Sequence, residues 1–296
     1  MEVVRSVAAW RALRANWGTG VEIGFVPTMG YLHAGHLSLV QMARAAHARV
    51  VVSIFVNPLQ FGPSEDLAAY PRDEARDLTL LELSGVDAVF LPSPAEMYPP
   101  DFATGVTLSG PLVERLEGAR RPGHFAGVAT VVTKLFGIVG PSHAYFGQKD
   151  AQQLAVVRRF VADLALPVEI VAGPIIREPD GLALSSRNVY LTPPQRAAAT
   201  VLRRALAAGR FASDTGMHDA KSMLAAMRAV IAAEPLATLD YVDVVDPATF
   251  VPRDHGGPGS LLVLVAQVGK PRLLDNYLWR ADGTWDTGSV AEEGHA

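Results

Sequence analysis

Two histidines three residues apart, His33 and His36, flank Gly35 and follow Pro27-Thr28-Met29-Gly30. The apolar run over residues 21–29 predicts a buried strand. The spacing of Leu39, Val40 and Ala43 predicts a helix over 36–47. In a parallel sheet, the point where a strand hands over to a helix lies at the carboxyl edge, where ligands bind. Gly30 and Gly35 permit close backbone approach, and the helix start offers N–H groups to an anion. Imidazoles placed there can donate hydrogen bonds to charge developing on phosphorus. The competing readings are a structural turn with satisfied histidines, and a zinc site for which no third nearby ligand is evident.

Other segments carry compatible chemistry. Gln60 follows a second apolar run over 50–56, and its neutral amide can bond both a hydroxyl and a carboxylate. Gly147-Gln148-Lys149-Asp150 follows a short strand over 143–146 and opens a helix over 151–164, with Gln153 on its first turn. Lys149 is one of four lysines, and a flexible ammonium among phosphates neutralises a departing anion. Asp150 suits a sugar hydroxyl or a helix cap. Leu184-Ser185-Ser186-Arg187-Asn188 sets two hydroxyls and a guanidinium in sequence, which suits phosphate oxygens. The ordinary alternatives are a solvated Gln and a Ser-rich turn.

The elements that must position these residues follow from pattern. Strand-like runs at 21–29, 50–56, 86–91, 143–146 and 167–172 alternate with helical spacing at 36–47, 71–83, 128–138 and 151–164. That alternation predicts an α/β fold, a Rossmann-like parallel sheet with flanking helices. Beyond Gly173 come Ala-rich helices near 194–208 and 219–233. Three strand-like runs follow, at 239–245, 261–267 and 272–277. They predict a smaller α+β domain with an antiparallel sheet. The expected division is a Rossmann-like domain over 1–175, a smaller domain over 176–280, and a disordered tail over 281–296.

Composition narrows the function. The 296 residues are 49% hydrophobic and 19% charged, enough to bury a core. The net charge of -4 disfavours a general nucleic-acid binder. Asp282, Asp286, Glu292 and Glu293 account for all of it, so the body is neutral overall. The absence of cysteine excludes disulfides, thiolate metal sites and a Cys nucleophile. No apolar stretch approaches ~18 residues, so no membrane span is expected. No secretory signal pattern opens the chain, so a cytoplasmic location is expected. The P-loop, G-x-G-x-x-G, G-x-S-x-G and H-E-x-x-H patterns are absent.

The His33-Ala-Gly35-His36 segment resembles the nucleotide-binding signature of the nucleotidylyltransferase superfamily. Five further blocks carry the resemblance to the pantothenate synthetase family. They are Val52-Ser-Ile-Phe-Val-Asn-Pro-Leu-Gln60-Phe, Tyr70-Pro-Arg72, Arg121-Pro-Gly-His124-Phe, Phe146-Gly-Gln-Lys149-Asp150-Ala-Gln-Gln153 and Leu184-Ser-Ser-Arg187-Asn188. They stand in that family's order across about residues 3–280. The resemblance implies that ATP and pantoate form pantoyl adenylate and pyrophosphate with a magnesium ion, and that β-alanine then attacks to release pantothenate and AMP. It implies that His36, His33, Lys149 and Arg187 are catalytic. Pro27, Thr28, Met29, Gly30, Gly35, Gly147, Asp150, Ile176, Leu184, Ser185 and Ser186 join His36, Lys149 and Arg187 in binding ATP. Gln60, Gln153 and Met29 bind pantoate and β-alanine, Asp77 is linked to magnesium, and Arg121 and His124 wall the site. It further implies a homodimer, and makes Ser185–Asn188 a clamp brought over ATP by the smaller domain. Another nucleotidylyltransferase with a different acceptor would share the histidine segment but need not share Gln60, Gln153 or the Arg121–His124 block.

Overall fold

The computed structural model describes residues 1–18, 20–63, 65 and 67–291. The chain separates into two compact units. The first comprises Met1–Gly147 with Val156–Gly173, and the second comprises Gln148–Ala155 with the chain from Pro174 onward. The break at Gly173 stands two residues before the expected one. The assignment of Gln148–Ala155 to the second unit has no signal in the sequence.

The first unit is built on six parallel strands: β1 Glu2–Val4, β2 Ile23–Thr28, β3 Arg49–Ile54, β4 Ala88–Phe90, β5 His143–Gly147 and β6 Glu169–Gly173. Their order is β1-β4-β3-β2-β5-β6. The central strands are apolar on both faces because helices cover both: Phe25, Val26, Val50, Val51 and Val52 have no exposed surface. Helix Ala34–Ala46 lays Leu37, Leu39, Val40 and Ala43 into a core that includes Val26, Val50, Val52 and Tyr145. Strand β1 was not foreseen. It is three residues long with Glu2 and Val3 exposed, so no buried periodicity marks it.

The second unit contains β7 Ile176–Arg177, β8 Ala237–Val245, β9 Ser260–Val268, β10 Arg272–Trp279, β11 Trp285–Asp286 and β12 Ser289–Val290. Strands β8 to β11 form an antiparallel sheet in the order β11-β10-β9-β8. Helices Val201–Asp214 and Ala220–Ala232 close its core through Leu202, Leu206, Met223 and Met227 against Val244, Leu262 and Leu264. The helix expected near 194–208 is two helices, Pro193–Ala198 and Val201–Asp214. The backbone tightens between them, where the Thr200 N–H bonds Ala197 three residues back.

The expectation of a disordered tail is corrected for residues 281–291. β11 pairs with β10, Trp285 stacks on Trp279 at 4.8 Å, and β12 pairs in parallel with β7. Two indoles and two strand pairings outweigh a Gly-, Thr- and acid-rich composition. Residues 292–296, with Glu292 and Glu293, lie outside the described residues. Among the described residues, no helix is long and apolar enough to cross a membrane.

Candidate active site

The turn after β2 is built to hold two imidazoles. Gly30 and Tyr31 both adopt left-handed backbone, at φ 83° and 51°. Such a conformation is costly for Tyr, and Asp77 secures it. The Asp77 oxygens accept the Tyr31 N–H at 2.7 Å and the Leu32 N–H at 2.8 Å. His33 then caps the helix, its Nδ1 accepting the Gly35 N–H at 3.2 Å. His36 Nδ1 accepts the His33 N–H at 3.4 Å. The ring centroids are 4.1 Å apart. Because each Nδ1 is an acceptor, the proton of each neutral ring sits on Nε2. Thr28 shapes the start of the turn: its hydroxyl donates to Ser53 O and accepts the Gly30 N–H.

Gln60 lies on a short 3-10 turn, Pro58–Gln60, beyond β3. It is buried, and its amide N–H donates to Met29 Sδ at 3.1 Å. Two of the three residues expected to meet pantoate and β-alanine are thus neighbours. Asn57, to which the sequence assigned no role, is the organiser. Its Nδ2 donates to Gln60 Oε1 and to Gly127 O, each at 3.1 Å, and its Oδ1 accepts the Tyr98 hydroxyl at 2.7 Å. Arg121 and His124 stand beside Gln60. His124 Nδ1 lies 2.9 Å from Gln60 O, and its Nε2 lies 3.1 Å from Arg121 Nη1. Burial, and then the adjacent Arg121 charge, lower the His124 pKa to about 4, so the ring is neutral, donating through Nδ1 and accepting through Nε2. Burial alone would raise the Glu65 carboxyl. Its 2.7 and 2.8 Å contacts with Arg121 outweigh that and hold it below the usual range.

In the second unit, Lys149, Ser185, Arg187, Asn188, Arg272 and Asp275 line one cleft. Lys149 lies on the 3-10 turn Gln148–Asp150, 3.7 Å from the exposed Asp150 carboxylate. Gln153 sits on the first turn of helix Ala151–Asp163. The turn is clamped by Asn276, whose Nδ2 donates to the carbonyls of Gln148 and Lys149 at 3.0 and 2.9 Å. Ser185 Oγ accepts the Arg187 N–H, and Ser186 is buried. The Ile176 carbonyl accepts the Leu184 N–H at 2.9 Å. A buried pair holds the cleft wall. Arg177 meets both oxygens of Asp275 at 2.6 and 2.8 Å, and also donates to Thr287 O and Gly181 O. Arg177, Asp275 and Asn276 escaped the sequence reading because Arg177 and Asp275 stand 98 residues apart.

Asp77 does not fit the expected magnesium role. It is 1% exposed, and each oxygen is committed to a backbone N–H. Burial raises its pKa against the opposing pull of those two bonds. Magnesium keeps several waters and needs an accessible oxygen. Asp77 is a turn anchor.

A family model described as pantoate-beta-alanine ligase matches residues 2–278. The chain belongs to the pantoate-beta-alanine ligase family. It is 58% identical over 286 residues to a pantothenate synthetase of Chloroflexus aurantiacus, covering 96% of this chain and all of the relative. It is 55% identical over 279 residues to that of Herpetosiphon aurantiacus, covering 94% of this chain and all of that relative. The crystal structure of pantothenate synthetase from Thermus thermophilus superposes with a TM-score of 0.89 at 50% identity, covering 93% of this chain and 98% of that one. A pantoate-beta-alanine ligase from Francisella tularensis, complexed with beta-gamma ATP and beta-alanine, gives 0.79 at 32% identity, covering 94% and 97%. As a member of the pantoate-beta-alanine ligase family, this chain is a ligase that condenses pantoate with β-alanine using ATP.

Proposed function

We propose that the condensation runs in two steps on the residues described above. The pantoate carboxylate oxygen attacks the α-phosphorus of ATP, the bond to the β-phosphate oxygen breaks, and pyrophosphate leaves. The β-alanine nitrogen then attacks the acyl carbon of the pantoyl adenylate, AMP leaves with the bonding pair, and the amine gives up its proton. The enzyme forms no covalent bond, so its work is positioning and charge stabilisation. The observation that supports this reading best is the placement of His33 and His36 together at the start of helix Ala34–Ala46, where the carboxyl edge of the sheet meets a helix N-terminus suited to phosphate.

In this reading Pro27, Thr28, Met29, Gly30 and Gly35 form the turn against which ATP lies. Gln60 and Gln153 present their amides to pantoate, and Met29 packs beside Gln60. Lys149 and Arg187 neutralise the leaving pyrophosphate, helped by Ser185 and Ser186. Gly147 and Leu184 admit the nucleotide, Asp150 meets the ribose, and main-chain atoms at Ile176 meet the adenine. Mg2+ enters with ATP, where it offsets phosphate charge, and no residue is assigned to hold it. The working form is a cytoplasmic homodimer, which sedimentation equilibrium tests. ATP–pyrophosphate exchange tests the two-step route. It should require pantoate and proceed without β-alanine. Exchange that needs β-alanine would replace the route with a concerted one.

A further inference from the structure

The opposite edge of the parallel sheet carries a second cluster of ligating side chains. Glu22 directly precedes β2, His47 ends helix Ala34–Ala46 just before β3, and His143 opens β5. In the sheet β5, β2 and β3 are neighbours, so these three residues converge at its amino edge. One ligand atom from each lies within 4.8 Å of the other two. The rings of His47 and His143 are 4.5 Å apart between centroids. His33 and His36 stand at the carboxyl edge of the same sheet, so this cluster is separate from the histidine turn.

His47 supplies the decisive observation. Its side chain is buried, at 7% exposure, yet Nδ1 has no hydrogen-bond partner. A buried polar atom without a partner costs free energy that native proteins seldom leave uncompensated. The other ring nitrogen is engaged, with Nε2 2.9 Å from the hydroxyl of the buried Tyr145. If Nε2–H donates to Tyr145, Nδ1 presents a lone pair, which is the usual outer support of a metal-bound imidazole. The ring occupies space that Gly24 leaves open: a Cβ at Gly24 would lie 2.5 Å from His47 Cδ2. Burial, and then the neighbouring His143, lower the His47 pKa. A second carboxylate stands close, with Glu169 Oε2 3.3 Å from His143 Nε2. Arg44 opposes a cation there, but it is held by Asp87 and by the His47 carbonyl.

We propose that Glu22, His47 and His143 form a binding site for a divalent transition-metal ion of the zinc class. Two imidazoles and one carboxylate are a recurrent zinc donor set, whereas magnesium and calcium prefer oxygen throughout. Zinc–ligand bonds near 2.0–2.1 Å in a tetrahedron imply ligand separations of roughly 3.3 Å. Binding would draw the three ligand atoms in from their present spacing of within 4.8 Å. The ion would tie the start of β2 and of β5 to the end of the helix before β3. It would therefore stabilise the folded state by mass action.

Calorimetric titration of the full chain with Zn2+, and visible absorption with Co2+, test the site. One ion per chain and the intense spectrum of tetrahedral cobalt are expected, with a rise in Tm in zinc. Glu22 is exposed, so Glu22→Gln should fold normally and weaken binding at least about tenfold. His143→Gln should lower binding to background, with circular dichroism checking its fold. Both variants should keep Mg2+-dependent ATP–pyrophosphate exchange. No stoichiometric binding, or binding unchanged in both variants because the ion sits elsewhere, would overturn the proposal.

Discussion

Each histidine of the turn has Nδ1 committed to a backbone N–H of the first helical turn, whereas the proposed contact with ATP is made by Nε2. The structural and the proposed chemical role can therefore be separated. In His36→Asn the amide oxygen can stand in for Nδ1, but no donor reaches the Nε2 position. Stability in urea is expected to stay within about 1 kcal/mol of the parent. Pantoate-dependent exchange is expected to fall roughly 10²–10³-fold. Unchanged exchange would remove His36 from the chemistry. His124 gives a pH prediction. Its ordinary pKa is 6.5, and the folded value is about 4. Between those values the unfolded chain binds a proton that the folded chain does not. Stability therefore rises with pH across this window and is lost as pH falls from 6.5 towards 4. The full effect is on the order of 3 kcal/mol. Urea unfolding at about pH 7 and about pH 5 should show roughly 2 kcal/mol of it, and His124→Gln should flatten the slope.

At the scale of elements, the turn after β2 depends on a helix more than 40 residues away. Asp77, on helix Glu74–Leu83, accepts two N–H groups of that turn. Asp77→Ala leaves both amides without their partner, and a loss of about 2–4 kcal/mol is expected in urea unfolding. Asp77→Asn should change stability while leaving the Mg2+ concentration that half-saturates exchange near the parent value. A shift in that concentration alone would restore a metal role. This residue also marks the limit of sequence reading. The five strands β2 to β6 were legible because each is a short apolar run bounded by turn residues, and the histidine turn because it sits where such a run meets helical spacing. Asp77 looks like any acidic residue in a first helical turn, and its burial comes from tertiary packing. Asn57 is legible only as part of an Asn-Pro turn, and nothing local announces that Gln60, Gly127 and Tyr98 meet it.

Across the whole molecule, the acidic tail proves to be structural as far as residue 291. Thr287 O accepts the Arg177 Nε–H at 2.6 Å, so the tail completes the surroundings of a buried ion pair. Removal of residues 281–296 strips this bond from a buried guanidinium, along with the Trp279–Trp285 stack. A loss of at least about 1.5–3 kcal/mol is expected, read as a lower Tm of the truncated chain; an unchanged Tm would deny the tail its role. Net charge was also a poor guide to function. The body is neutral overall, yet Lys149 and Arg187 line one cleft and two histidines cap one turn, so cationic and imidazole groups are gathered locally. The central claim is that this family member activates pantoate as an adenylate before β-alanine takes part. Exchange of labelled pyrophosphate into ATP tests it most directly: with ATP, Mg2+ and pantoate but no β-alanine, steady exchange is predicted, whereas none under those conditions, or equal exchange without pantoate, would contradict the account.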